Sequence, residues 1–123
     1  MNNIIHKELS FSIVGMAMQV HNQLGGGFLE KVYENAMMVL CRKQGISAEQ
    51  QKAIKVYFEN EIVGEYFADI LVDDKVIIEL KVAESITNIH KAQLLNYLKA
   101  THLRLGLILN FGKENLEYER LVL

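Results

Sequence analysis

Phe67-Ala68-Asp69-Ile70-Leu71-Val72-Asp73-Asp74-Lys75-Val76-Ile77-Ile78-Glu79-Leu80-Lys81-Val82 reads as a β-hairpin, and its parity carries most of the information in the chain. In the first strand, taken from Ile62 to Val72, the even positions Ile62, Tyr66, Ala68, Ile70 and Val72 are apolar, with Gly64 the exception. They are expected to face a core, as are Val76, Ile78, Leu80 and Val82 in the next strand. The odd positions carry the polar exceptions: Glu65 and Asp69, then Lys75, Glu79 and Lys81. The two apolar faces coincide only if the turn holds an odd number of residues, and Asp73-Asp74-Lys75 gives three. That register sets Ile70 opposite Ile78 and Asp69 opposite Glu79, with Cβ atoms about 5 Å apart. Lys81 lies two residues beyond Glu79 and projects from the same face. Two carboxylates and an ammonium therefore converge on one side of a largely apolar hairpin.

Such a cluster has two readings. As a solvated ion pair it would contribute almost nothing. Against that, Phe67, Leu71 and Ile77 share the odd face and imply that it is covered. Like charges directly opposite one another also destabilise a hairpin unless a cation or a proton lies between them. Paired carboxylates suit Mg²⁺ or Mn²⁺, and a neighbouring lysine can orient a water or stabilise a phosphate.

Outward from the hairpin, the chain divides by period. Leu9, Ile13, Met16, Val20 and Leu24 recur at helical spacing over Ile4 to Leu24. Leu29, Val32, Ala36, Val39 and Leu40 repeat the pattern after Gly25-Gly26-Gly27, until Arg42-Lys43-Gln44-Gly45 stops it. The glycines are expected to form a bend; they lack the preceding strand and the Gly-Lys-Ser/Thr of a phosphate loop. Ala53 to Phe58 predicts a strand, followed by a polar turn at Glu59-Asn60-Glu61. Thr87 or Asn88 can cap a helix from about Ile89 to Thr101. Leu103 to Leu109 and Leu116 to Leu123 predict two further strands, with Asn110-Phe111-Gly112 between them. The order α-α-β-β-β-α-β-β implies an α/β (α+β) fold with a mixed central sheet flanked by helices.

At 123 residues, with no proline, linker or repeat, the chain is expected to be one domain spanning 1–123. Half its residues are hydrophobic, enough for a real core. Thirteen basic against fifteen acidic side chains give a net charge of −2, which argues against wrapping nucleic acid by bulk charge but leaves room for a local basic groove. The single Cys41 excludes intramolecular disulfides and cysteine-built zinc or iron–sulfur sites. No apolar run reaches the roughly 20 residues that span a bilayer. The N-terminal stretch has no signal-peptide pattern, so a cytoplasmic protein without membrane contact is expected.

The hairpin's Asp69, followed after nine intervening residues by Glu79-Leu80-Lys81, resembles the active-site pattern of the PD-(D/E)XK nuclease superfamily. Ala68-Asp69 stands where that pattern has Pro-Asp, a change that removes no ligand. The chain is also similar to the small bacterial GxxExxY proteins through Gly27-Phe28-Leu29-Glu30-Lys31-Val32-Tyr33. Phe67 to Val72, Ile78 to Lys81, His90 to Leu98 and Asn110-Phe111-Gly112 extend that likeness over nearly the whole chain. Gln93 and Tyr97 resemble the Gln-x-x-x-Tyr element of RecB-like nucleases. The resemblance implies a metal-dependent nuclease acting on nucleic acid, with DNA the expected polymer. Asp69, Glu79 and the Leu80 carbonyl would be ligands of Mg²⁺ (or Mn²⁺), Lys81 the residue acting on the attacking water, and Gln93 and Tyr97 the substrate contacts.

Several candidates keep two readings. Glu30, in the first turn of the second helix, complements the helix dipole, and the resemblance makes it a fourth acidic residue of the site. Tyr33, three residues on, lines the same cleft or packs against the sheet. Gln93 and Tyr97 alone would make an ordinary half-exposed helix stripe. His21 and His90 suit capping or core roles, with a phosphate contact the alternative for His90. Met16, Met18, Met37 and Met38 are expected to fill the core, with a hydrophobic partner surface as the alternative. The rival to an enzyme is a catalytically silent nuclease-fold module that holds nucleic acid or a partner protein. A third reading is an accessory subunit forming a homodimer through an apolar helix face.

Overall fold

The computed structural model describes residues 4–123; Met1 to Asn3, part of the N-terminal stretch read above, lie outside the described residues. Two helices, α1 (Lys7–Leu24) and α2 (Glu30–Lys43), precede the strands β1 (Ala48–Phe58), β2 (Glu61–Val72) and β3 (Val76–Lys81). Helix α3 (Asn88–Thr101) then leads to β4 (Leu105–Asn110) and β5 (Glu117–Val122). The strands form one mixed sheet in the order β1-β2-β3-β4-β5. Only β3 and β4 are parallel, and α3 supplies the crossover that a parallel pair needs. The element order and fold class therefore agree with the sequence reading.

Every residue of β4, and every residue of β3 except Lys81, is buried, as expected for central strands covered on both faces. On one face α1 and α2 contribute Ile13, Met16, Val20, Tyr33 and Met37 to a core with Ile70, Ile78, Leu80, Leu107 and Phe111. On the other, Leu94, Tyr97 and Leu98 of α3 pack on Ile54, Ala68, Leu71, Ile77 and Ile108. Gly106 lies beneath α3, where an added Cβ would stand 2.7 Å from the Leu94 side chain. Thr87 caps α3: its hydroxyl accepts from the His90 N–H at 3.2 Å, while His90 Nδ1 accepts from the Thr87 N–H at 3.1 Å. His90 is thus a capping residue, completing a reciprocal box usually closed by Glu or Gln.

The hairpin turn Asp73-Asp74-Lys75 and the pair Ile70–Ile78 have the expected register. Other details differ. β1 begins at Ala48, because the polar run from Glu49 to Lys52 is drawn into the sheet by pairing with Ala68 to Leu71, a tertiary effect outweighing weak strand propensity. Its connection to β2 is the two-residue turn Glu59-Asn60, both with positive φ, and Glu61 pairs with Phe58. The even face of β2 does not meet one continuous core. Ile62 and Tyr66 are exposed because the β1–β2 hairpin reaches past the helices, and Phe67 on the odd face is exposed as well. Ala68 packs on the α3 side while Ile70 packs on the α1–α2 side, so alternation breaks at Asp69. Met18 is exposed, unlike buried Met16 and Met37.

The ends of β3 and β4 are tied together by Asn110, which is fully buried. Its Oδ1 accepts from the N–H groups of Ala83 and Gly112, each at 3.0 Å, and its Nδ2 donates to the Ala83 carbonyl and to Glu117. Gly112 is pressed against this crossing: a Cβ there would stand 2.4 Å from the Ala83 nitrogen and 2.5 Å from its oxygen. Gly112→Ala is therefore expected to destabilise the protein by about 1–3 kcal/mol, measured as a lower denaturation midpoint with an unchanged m-value.

Candidate functional site

Asp69 marks the point where β2 parts from β3. The antiparallel ladder runs only through Ile70–Ile78, Leu71–Ile77 and Val72–Val76. Beyond it, Asp69 Oδ2 accepts a hydrogen bond from the Leu80 N–H at 2.8 Å, replacing a backbone carbonyl of β2. The N–H and C=O of one strand residue point towards the same neighbour, so the Leu80 carbonyl also faces the gap. On the other side, Gln51 stands between the pairs Gln50–Ile70 and Lys52–Ala68 with a φ of 51°, and it too lies outside the regular pairing. A carboxylate with interrupted ladders on both flanks is well placed to point its oxygens at a ligand.

Glu79 is only 7 % exposed, and its pKa is pushed up to about 9. Burial is the main cause; hydrogen bonding to Asp69 and the Asp69 charge add to it, against the opposing charge of Lys81. The Glu79 carboxyl is thus favoured in its protonated form at neutral pH. Lys81, half-buried at the end of β3, makes no close ion pair among the described residues, yet its charge acts on both Glu79 and Glu30. Glu30, exposed at the start of α2, has its pKa raised by partial burial and by Asp69 and Glu34, while Lys81 and His90 pull it down. From α3, Gln93 Nε2 donates to the Tyr97 hydroxyl at 2.9 Å. The Tyr97 pKa is raised by burial and then by the charge of Glu79. Asp69, Glu79, Lys81, Glu30 and the Gln93–Tyr97 pair therefore gather around one end of the sheet, between α2 and α3.

Tyr33 does not line this cleft, and that expectation is corrected. It is fully buried, its ring stacked on Phe111 at 4.6 Å. Its hydroxyl donates to the Gly25 carbonyl at 2.7 Å and accepts from the Phe28 N–H, so it pins the glycine bend to the core. His21 helps nearby, with Nε2 2.8 Å from the Lys113 carbonyl.

Three residues at the site escaped the sequence reading. Glu34 is buried one turn after Glu30, and its carboxylate accepts from Lys31 Nζ at 2.9 Å, Gln50 Nε2 at 2.7 Å and Gln51 Nε2 at 3.0 Å. The same Gln51 amide lies 3.5 Å from Asp69 Oδ1, linking α2 to the hairpin. The i,i+4 spacing of Glu30 and Glu34 was a usable signal; Gln50 and Gln51 sat in a segment with no strand pattern.

Among the described residues no group of three or more His, Cys, Asp or Glu side chains is arranged as a metal cage. Two carboxylates and a carbonyl around a strand gap are instead a partial, all-oxygen shell. That suits a hard cation which keeps several waters or takes the remaining ligands from a phosphate. The proton favoured on Glu79 offsets the charge that such a cation would otherwise balance.

Residues 7–121 match the PD-(D/E)XK nuclease superfamily, and the chain belongs to that superfamily. No match appears among curated proteins. Of solved structures, the crystal structure of SSO0001 is similar, with a TM-score of 0.59 and 18% identity over 95% of this chain and 57% of that one. At that identity the likeness shows a shared fold, and the chain spans little more than half of the other's length. No helix among the described residues is long and apolar enough to cross a membrane.

Two outcomes follow for stability. Between pH 4.5 and about 9 the folded state holds a Glu79 proton that the unfolded chain has released. Stability from this group is full below pH 4.5 and falls as pH rises, by up to ~1.4 kcal/mol per pH unit. In metal-free buffer the melting temperature of Glu79→Gln should therefore exceed that of the native protein by several degrees at pH 8.5, with the gap closing towards pH 5. Tyr33→Phe should cost about 1–2 kcal/mol in chemical denaturation while leaving divalent-metal affinity unchanged.

Proposed function

We propose that this chain is a metal-dependent nuclease of the GxxExxY type, hydrolysing phosphodiester bonds in nucleic acid, with DNA as its polymer. The observation that carries the reading is the convergence of Asp69, Glu79 and Lys81 at the gap between β2 and β3, with Glu79 holding a proton where a cation would otherwise balance the pair. In this reading Asp69, Glu79 and the Leu80 carbonyl hold Mg²⁺ or Mn²⁺, which when bound withdraws charge from the scissile phosphate and acidifies a water. Asp69 is oriented by the Leu80 N–H on Oδ2, with the Gln51 amide 3.5 Å from Oδ1. Lys81 positions the attacking water and, as an ammonium, offsets charge on the pentacovalent phosphate, while the water's proton passes to solvent. Glu30 supports the outer shell. Gln93 and Tyr97 hold the substrate backbone as a RecB-like pair: the Gln93 amide occupies the phenol oxygen, leaving the Tyr97 O–H free to donate.

Asp69→Asn, which keeps an acceptor for the Leu80 N–H, and Lys81→Ala should each fold normally and lower Mg²⁺- or Mn²⁺-dependent cleavage of labelled DNA at least ~100-fold. Retained cleavage in both would remove the assignment. In calorimetry Mn²⁺ should bind the native protein and not Asp69→Ala/Glu79→Ala. Its affinity should rise with pH, because the Glu79 proton must leave. Nucleic-acid binding with neither Mn²⁺ uptake nor cleavage would instead identify a catalytically silent binding module.

A further inference from the structure

Beside the site, the projecting β1–β2 hairpin and α3 enclose a groove of about 480 Å³. Lys55 and Tyr57 of β1, Tyr66 of β2, and Asn96, Lys99 and His102 from α3 and its C-cap line it, and no acidic side chain does. Lys55 and Lys99 make no ion pair among the described residues. Glu65, the nearest acid in the ladder, pairs across from Lys55 without forming a salt bridge to it. Tyr57 is 61 % exposed and Tyr66 47 %, an unusual outlay of aromatic surface on a strand pair. The groove also connects with the site, because Tyr66 packs on Tyr97 with ring centroids 5.5 Å apart.

We infer that this groove is a binding track for single-stranded nucleic acid, leading a strand along α3 to the site. Cations spaced along a channel neutralise successive phosphates, and exposed aromatic faces accept unpaired bases by stacking. A duplex hides its bases and offers the tyrosines nothing to stack on. A protein of net charge −2 that carries an acid-free basic groove next to an acidic cluster has its charges segregated, which suits a polyanion entering from one side. The inference rests on the nuclease reading for its purpose but stands on separate residues.

The test is fluorescence anisotropy in EDTA with a labelled 20-nucleotide oligothymidine and a duplex of equal length. Native protein should prefer the single strand, with affinity falling with salt at a log–log slope of about −1.4, from the two lysine contacts. Lys55→Gln/Lys99→Gln should weaken binding at least tenfold, and Tyr57→Ser at least ~5-fold, both with unchanged melting temperatures. Oligothymidine binding that both variants leave intact, a preference for the duplex, or no binding to either would overturn the inference, the last assigning the groove to a protein partner. Loss of binding in the groove variants without cleavage by the native protein would defeat only the nuclease reading. Binding intact in the groove variants, with metal-dependent cleavage by the native protein, would defeat only the groove.

Discussion

The hydrogen bond from the Leu80 N–H to Asp69 Oδ2 is the contact on which the site depends. A regular ladder would have spent that N–H on a β2 carbonyl and held the two strands about 4.8 Å apart. By accepting it, the Asp69 side chain ends the pairing while satisfying the donor, so the sheet can open without leaving a buried N–H unpaired. The opening lies between the two strands that carry Asp69, Glu79 and Lys81. One short side chain thus both terminates the ladder and supplies a carboxylate to the gap.

Anchors on every side keep that gap from closing. Tyr33 fixes the glycine bend and stacks on Phe111, whose N–H in turn donates to the Lys81 carbonyl at 2.8 Å. The backbone at Lys81 is therefore held by β4 and its following loop, leaving the side chain to face the site. Asn110 and Gly112 secure the crossing just beyond. On the α2 side, Glu34 gathers Lys31, Gln50 and Gln51. Because Gln51 adopts a left-handed backbone, rare for a non-glycine residue, its amide can turn back to reach both Glu34 and Asp69.

The fold was legible in sequence because its central strands are short, apolar and separated by turn residues with clear chemistry. The odd-numbered turn at Asp73-Asp74-Lys75 was enough to set the register from Val72–Val76 to Ile70–Ile78, although the expected pair Asp69–Glu79 lies beyond the end of that ladder. What stayed illegible shares one cause: it depends on partners distant in sequence. β1 begins early only because β2 is there to pair with it. Tyr33 looked equally fit for cleft or core until Phe111, 78 positions later, proved to lie against it. The parity rule failed at Ala68 because a break in alternation, unlike alternation itself, leaves no periodic trace.

Charge arithmetic over the whole chain was the least informative reading, for a physical reason. Potentials are local: at physiological salt, exposed charges about 8 Å apart are already substantially screened. A near-neutral total is therefore compatible with an acidic cluster at Glu30, Glu34, Asp69 and Glu79 and a basic groove at Lys55 and Lys99. On the proposed reading the two depend on each other. The acidic cluster alone repels a phosphate backbone, whereas the groove attracts one. A divalent cation held there would offset much of the cluster's negative charge and let the strand continue from groove to site. Metal and nucleic acid should thus bind with positive coupling, each raising the other's affinity by the same factor, as linkage requires.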